Sequence, residues 1–284
     1  MAGARLRRSD AWLRAAMAPQ VLLLVAFFVV PVVFIVQASL HDKTGALTAA
    51  NYAAFLFDSY DRAVVGRTLG VALGTTLLAL VLGYPLARAI ARGSAFTRWF
   101  LSGAVFFPLL TSSVVRSFGW LVLLADSGLM NDVLTFFGLP HLRLVFTSLG
   151  VTIALAQVLL PFMVLSLANA LANIDPAVEE AAATLGSSPL RRFVRVTLPM
   201  LAPGILAGSL LVFAIAISSF VTPALIGGPR AEVMATLIYT NATQLGNIGL
   251  ASAASLILLV ITVALVSLYY RIVLSTPTGG EPAR

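Results

Sequence analysis

The sequence predicts an all-α polytopic membrane protein: six transmembrane helices, both termini cytoplasmic, and two short helices between the fourth and fifth spans. Three observations predict it. Of the 284 residues, 60% are hydrophobic and only 10% charged, against about 25% charged in an average soluble domain. Six charge-poor apolar runs are each about 20 residues long, enough to cross a hydrocarbon core of about 30 Å. Lys and Arg also alternate in density across the intervals between these runs, which orients the chain.

The first run spans about 18–40. Its apolar stretch, Ala15 to Leu40, exceeds the roughly 7–15 residues of a secretory h-region. It therefore reads as an uncleaved span, although Val36-Gln37-Ala38 loosely imitates a cleavage site. The second run is near Thr68 to Ala87. The third is near Trp99 to Leu124, interrupted by Pro108 and Arg116. The fourth lies near Leu144 to Asn173, the fifth near Ala202 to Ile226 and the sixth near Ala251 to Ile272. Each must be helical, because backbone groups cannot go unsatisfied in lipid. Together they form a single transmembrane domain over 1–284, with a core of about 66–272. The Pro/Gly-rich tail 276–284 is expected to be disordered.

One set of intervals carries twelve basic residues: Arg5, Arg7, Arg8, Arg14, Arg88, Arg92, Arg98, Arg191, Arg192, Arg195, Arg271 and Arg284. The other carries five: Lys43, Arg62, Arg67, Arg143 and Arg230. The richer set is cytoplasmic by the positive-inside rule. The net charge of +7 is thus a topology signal, and no nucleic-acid partner is expected. Cysteine is absent, which excludes disulfides and thiolate metal sites. His41 and His141 lie in predicted loops without ligand-like partner spacing, so no metal site is expected.

The polar segment between the fourth and fifth runs has its own local logic. Asp175 can cap a helix with Pro176 at its first position. Ala177 to Leu185 favour helix, and Gly186 can supply the left-handed residue that ends it. Ser188 and Pro189 repeat the start. A second short helix, Leu190 to Leu198, is expected to stop before Pro199. Ala181 and Ala182 are small enough for another surface to approach closely. Arg191, Arg192 and Arg195 lie on or near one face of the second helix, where they either meet a partner or serve lipid head groups and topology.

Glu180-Ala181-Ala182, three residues, Gly186, nine residues, then Val196-Thr197-Leu198-Pro199 closely resembles the EAA signature of bacterial ABC-importer permeases. Only Val196, in place of Ile, departs from it. The resemblance implies a non-enzymatic transport subunit of the bacterial inner membrane. Its expected partners are a cytoplasmic ATPase dimer, a second permease subunit and a periplasmic substrate-binding protein, besides the lipid bilayer. It implies that the chain binds no cofactor and that ATP and Mg belong to the partner ATPase. It further implies an ATPase-coupling loop of Glu180, Ala181, Ala182, Gly186, Arg191, Arg192, Val196, Leu198 and Pro199. There Glu180 orients the first helix or pairs with a nearby Arg, and the elbow moves the fourth and fifth spans. The residues agree with a partner-supplied energy source. No phosphate loop of the GxxxxGK[ST] type occurs, and no acidic residue sits mid-span, where an ion-coupled carrier usually needs one.

Two segments narrow the resemblance. Pro108-Leu109-Leu110-Thr111-Ser112-Ser113-Val114-Val115-Arg116-Ser117-Phe118-Gly119-Trp120 and Phe220-Val221-Thr222-Pro223-Ala224-Leu225-Ile226-Gly227-Gly228-Pro229-Arg230 both look like the spermidine/putrescine permease branch. That implies a polyamine or similar small cation, and a heterodimer. The alternatives are an importer for a different small solute, or an ion-coupled secondary transporter. Arg116 lies 18 residues beyond Arg98, about 27 Å of continuous helix, which places it near the outer interface. Phe118 and Trp120 belong either to the interfacial aromatic belt or to a pathway that binds amines by cation–π attraction. Pro223, Gly227, Gly228 and Pro229 break the end of the fifth span, where Ser218, Ser219, Phe220 and Thr222 are the remaining pathway candidates. The break is either a gate or a plain span-ending turn.

Overall fold

The computed structural model describes residues 3–41 and 45–275. The described residues are mostly helical and contain no sheet, only an isolated bridge between His41 and Leu47. They separate into two compact units, one of residues 1–59 with 238–257 and one of 60–237 with 258–284. The tail 276–284 lies outside the described residues. Among the described residues, six helical segments are long and apolar enough to cross a membrane.

The first unit begins with α1 (Gly3–Ser39). Its apolar positions from Val21 to Phe34 are largely exposed, as expected of a face solvated by lipid. After it, α2 (Ala50–Phe57) is tied back through Asn51, whose amide donates to the carbonyls of Ser39 and His41 at 2.9 and 3.0 Å.

The second unit holds most of the rest, while residues 238–257, later in the chain, belong to the first. α3 (Ser59–Arg92) is one helix of 34 residues, longer at both ends than its apolar run. The third run is not one helix. It divides into α4 (Ala95–Phe106), a tight 3₁₀ turn at Phe107–Leu110 and α5 (Ser113–Leu124), and α6 (Leu129–Phe136) follows beyond the run. Pro108 is the physical cause, since it withdraws a ladder donor and crowds the preceding turn. The long apolar segment here is Ser113–Phe136, and Ala95–Leu110 is a separate shorter one. Arg116 therefore sits in the first turn of α5, and a depth reckoned from a continuous helix does not apply. Its guanidinium donates to the Pro108 carbonyl at 2.6 Å, which also accepts the Thr111 N–H at 3.2 Å.

α7 (Ser148–Ala172) and α10 (Leu198–Ser218) form the central pair. Around them Leu159, Met163, Leu167, Leu171, Leu201, Val212 and Ile217 are buried with Ala72 and Ala79 of α3. Gly204 and Gly208 let the two backbones close up, and Ser166 Oγ donates to the Gly204 carbonyl at 2.9 Å. This small-xxx-small seam brings helices together where lipid offers no hydrophobic drive.

The fifth span ends earlier than Pro223. The chain turns extended at Ser219 (φ −66°, ψ 133°), then re-enters helix in a wide π turn at Pro223–Gly227 and a 3₁₀ turn at Gly228–Ala231. Gly228 has φ +52° and carries the Phe146 ring 2.7 Å from where a Cβ would lie. The break is thus set by packing as well as by proline. α11 (Met234–Tyr239) and α12 (Ile248–Ser275) complete the chain.

Candidate coupling elbow and pathway

Between α7 and α10 the chain makes a helical elbow. Asp175 Oδ1 accepts the Ala177 N–H at 2.9 Å, and Pro176 opens α8 (Pro176–Thr184). The C-terminus is a full Schellman closure. Ser187 N–H bonds the Ala182 carbonyl at 3.1 Å and Gly186 N–H bonds the Ala183 carbonyl at 3.0 Å. Gly186 has φ +78°, the left-handed conformation that this closure requires. Ser188 Oγ then accepts the Arg191 N–H at 3.4 Å, and Pro189 opens α9 (Pro189–Arg192).

The second short helix does not stop before Pro199. It widens into a π turn over Phe193–Thr197 and runs straight into α10, with Leu198 N–H on the Phe193 carbonyl. The wide turn moves the preceding carbonyls off the proline ring, which an α turn would not do. Val196, Leu198 and Pro199 are therefore the junction itself. α9 is thereby continuous with α10 through that π turn.

The tip of the elbow is apolar. Leu185 is 87% exposed and Leu190 73% exposed, with Ala181 and Arg191 also open to solvent and Ala182 half-buried. The capped turn holds these two leucines outward.

The root of the elbow is polar and tightly held. Glu180 is exposed, and its neighbour Glu179 makes the ion pair. Arg88 near the end of α3 donates from Nη2 to Glu179 Oε2 at 3.0 Å and from Nη1 to Oε1 at 3.3 Å. Thr197 Oγ1 donates to Glu179 Oε1 at 3.0 Å. Arg92 donates to the Ile174 carbonyl at 2.6 Å, and the Tyr84 and Phe193 rings lie 5.1 Å apart. Successive residues on a helix point about 100° apart, so only one of the two glutamates can face α3. The partner lies 91 residues away in sequence, beyond the reach of local pattern.

The Arg88 guanidinium holds the Glu179 carboxyl below its usual range, and the Thr197 hydroxyl adds to this against the opposing effect of burial. A depressed native pKa stabilises above the unfolded value and is lost as pH falls through the native one. Protease cleavage of the elbow should therefore be flat from about pH 8 to about pH 5 and rise only below that. In Glu179→Gln the baseline should be higher and the acid rise absent. An unchanged acid rise in that variant would assign the titration elsewhere.

The pathway candidates are brought only partly together. Ser117 and Thr222 share a buried hydroxyl contact of 3.2 Å that joins α5 to the segment after the break. Ser219 Oγ donates to the Ile215 carbonyl, and Ser218 Oγ to those of Ala214 and Ile215. Trp120 Nε1 donates to Gln157 Oε1 of α7 at 2.9 Å, a partner that no local sequence pattern signals. Trp120, Gln157, Arg116, Thr111 and Pro108 line an open cleft of about 440 Å³. Phe118 is outside that group and 53% exposed, while Phe220 is half-buried.

Residues 79–275 match the family described as binding-protein-dependent transport system inner membrane component. The chain is 32% identical over 256 residues to the spermidine/putrescine transport system permease protein PotB of Haemophilus influenzae, covering 87% of this chain and 89% of that one. It is 33% identical over 197 residues to the molybdenum transport system permease protein ModB of Mycobacterium bovis, covering 69% and 74%. Among solved structures it is similar to a chain of a bacterial alginate ABC transporter in complex with an alginate pentasaccharide-bound periplasmic protein. The TM-score is 0.77 at 19% identity, with 92% of this chain and 93% of that chain covered, which shows a shared fold.

Proposed function

Because the chain belongs to the family of binding-protein-dependent transport inner membrane components, we propose that it lines the path of a small cation, a polyamine, through an ATP-driven importer. The family places it in the bacterial inner membrane as a multi-pass transport subunit, not an enzyme, working with an ATPase and a substrate-binding protein. The observation that carries the solute is the likeness to PotB over 87% of the chain.

The elbow is the ATPase-docking element on this reading. Leu185 and Leu190 supply the apolar tip, Ala181 and Ala182 the close approach, and Gly186 the turn. Arg191 and Arg192 flank it. Both termini and the elbow face the cytoplasm, and ATP with Mg is held by the ATPase. A second permease completes the pathway, and the binding protein delivers solute to the outer face. Nucleotide-driven closure displaces the elbow and biases one inward–outward equilibrium, which is what coupling between two sites requires. Phe118 and Ser218 are the candidates left most open to a solute. The likeness to ModB favours a second reading, an importer of the same mechanism for a different small solute.

Uptake of radiolabelled spermidine and putrescine decides between them. Cells expressing the chain with its neighbouring subunits should accumulate label, and cells lacking only this chain should not. Absent polyamine uptake with the ATPase still co-purifying discards the polyamine and keeps the importer.

A further inference from the structure

α6 is turned inside out. Asn131 is fully buried, while Leu129, Val133 and Phe136 are 64%, 51% and 86% exposed. Spacings of four and three residues put these three apolar side chains on one helix face, opposite Asn131. A helix surrounded by water shows the reverse arrangement. The apolar face points outward because Asn131 holds the other side. Its amide nitrogen donates to the carbonyls of Ala125, Asp126 and Leu142 at 3.2, 3.3 and 3.1 Å, and its Oδ1 accepts the Leu142 N–H at 2.9 Å. The helix is also firmly closed. Leu139 N–H bonds the Leu134 carbonyl at 2.8 Å and Gly138 N–H the Thr135 carbonyl at 2.9 Å, with Gly138 at φ +72°.

The same contacts fix where α6 sits. α5 does not run straight on into it. A turn over residues 125–128 intervenes, closed by Gly128 N–H on the Ala125 carbonyl at 2.8 Å. Gly128 abuts the end of α5 so closely that a Cβ there would fall 2.5 Å from the Val122 carbonyl oxygen. Leu142, the other residue that Asn131 grips, lies just before Leu144, which is buried in one cluster with Leu124 of α5 and Val151 of α7. α6 is thus tied beside the end of α5 and the start of α7, at the level where acyl chains give way to headgroups. α7 separates it from the elbow in the chain, so the two lie on opposite faces of the membrane.

We propose that α6 is an interfacial helix, lying along the membrane surface on the face opposite the elbow, with Leu129, Val133 and Phe136 among lipid acyl chains. The occupant is lipid because this face continues the exposed apolar surface of α5, where Val115 and Val122 also point outward. Phe137, packed edge-on to Phe136 at 5.5 Å between ring centres, widens it. Asp132 is exposed at the rim of the stripe and faces water, and Arg143, exposed beyond Leu142, supplies a cation for headgroup phosphates. The loop between α5 and α7 thereby has its own lipid anchor, whichever solute the chain carries.

Photo-crosslinking in intact cells that express the chain with its neighbouring subunits tests this. p-Benzoylphenylalanine replaces Val133, Phe136 or Asp132 in turn, and all three positions are exposed, so packing is left intact. Irradiation should add the mass of one phospholipid to the chain at positions 133 and 136, and several-fold less of it at position 132. An adduct with another protein at 133 or 136 would make the face a protein-docking surface and overturn the proposal. Absence of any adduct there would also overturn it, because a benzophenone surrounded by water finds no C–H bond to attack. Equal lipid yields at all three positions would do the same, by removing the orientation of the helix.

Discussion

Gly204→Val should abolish accumulation of the folded chain in the membrane. A Cβ at Gly204 would fall 2.3 Å from the Ala170 Cβ and 3.3 Å from the Ser166 carbonyl oxygen. Neither neighbour is the end of a flexible side chain. α7 and α10 would have to separate along the seam that organises the second unit, and the Ser166–Gly204 bond would break with them. Overpacking of this kind costs about 1–3 kcal/mol and more when backbone must move, and even the low end changes cellular abundance several-fold. Membrane-fraction immunoblots and size-exclusion profiles should show the loss. Gly70→Val is the control, because nothing lies within 4 Å of its Cβ position. Equal yields of the two variants would remove the seam from its central place.

Gly186→Val should insert normally and fail to transport. Here no atom lies within 4 Å of the added Cβ, so the effect is conformational: φ is +78°. The left-handed region costs an L-residue about 1–2 kcal/mol, and a β-branched side chain suits it least. Relief would unwind the Schellman closure and turn Leu185 and Leu190 out of register with each other. The expected result is wild-type membrane abundance with uptake and ATPase co-purification both lost. Asn at this position, which tolerates the left-handed region, should retain most of both. Full docking and uptake by Gly186→Val would show that the turn is not needed in that form.

The two substitutions differ in how visible their consequences were beforehand. The elbow is written in contiguous residues: Asp175-Pro176, Gly186, Ser188-Pro189. Each acts on the backbone within four positions, so caps, turn and helix starts could be read directly. Gly204 and Gly208 were equally present as a small-xxx-small pattern, but its partner α7 is identified only by packing. Proline misled twice, in opposite directions. Pro108, expected to interrupt a span across which the depth of Arg116 could still be reckoned as one helix, broke it into separate helices, and Pro199 was absorbed by a π turn where a stop was expected. A proline states that one donor is missing and leaves open how the surrounding backbone compensates.

By itself the sequence determined the six apolar segments, their charge asymmetry and the elbow, because length, hydropathy and capping act locally and additively along the chain. Only the tertiary structure decided that Glu179 rather than Glu180 meets Arg88, that Trp120 meets Gln157, and that Arg116 serves the Pro108 carbonyl. The first two pairings link residues 91 and 37 positions apart. The third depends on a kink whose geometry no run of hydropathy encodes. Such contacts exist only once helices have chosen their neighbours, and that choice is made by close packing of small residues and by the need to satisfy buried polar atoms in a medium without water.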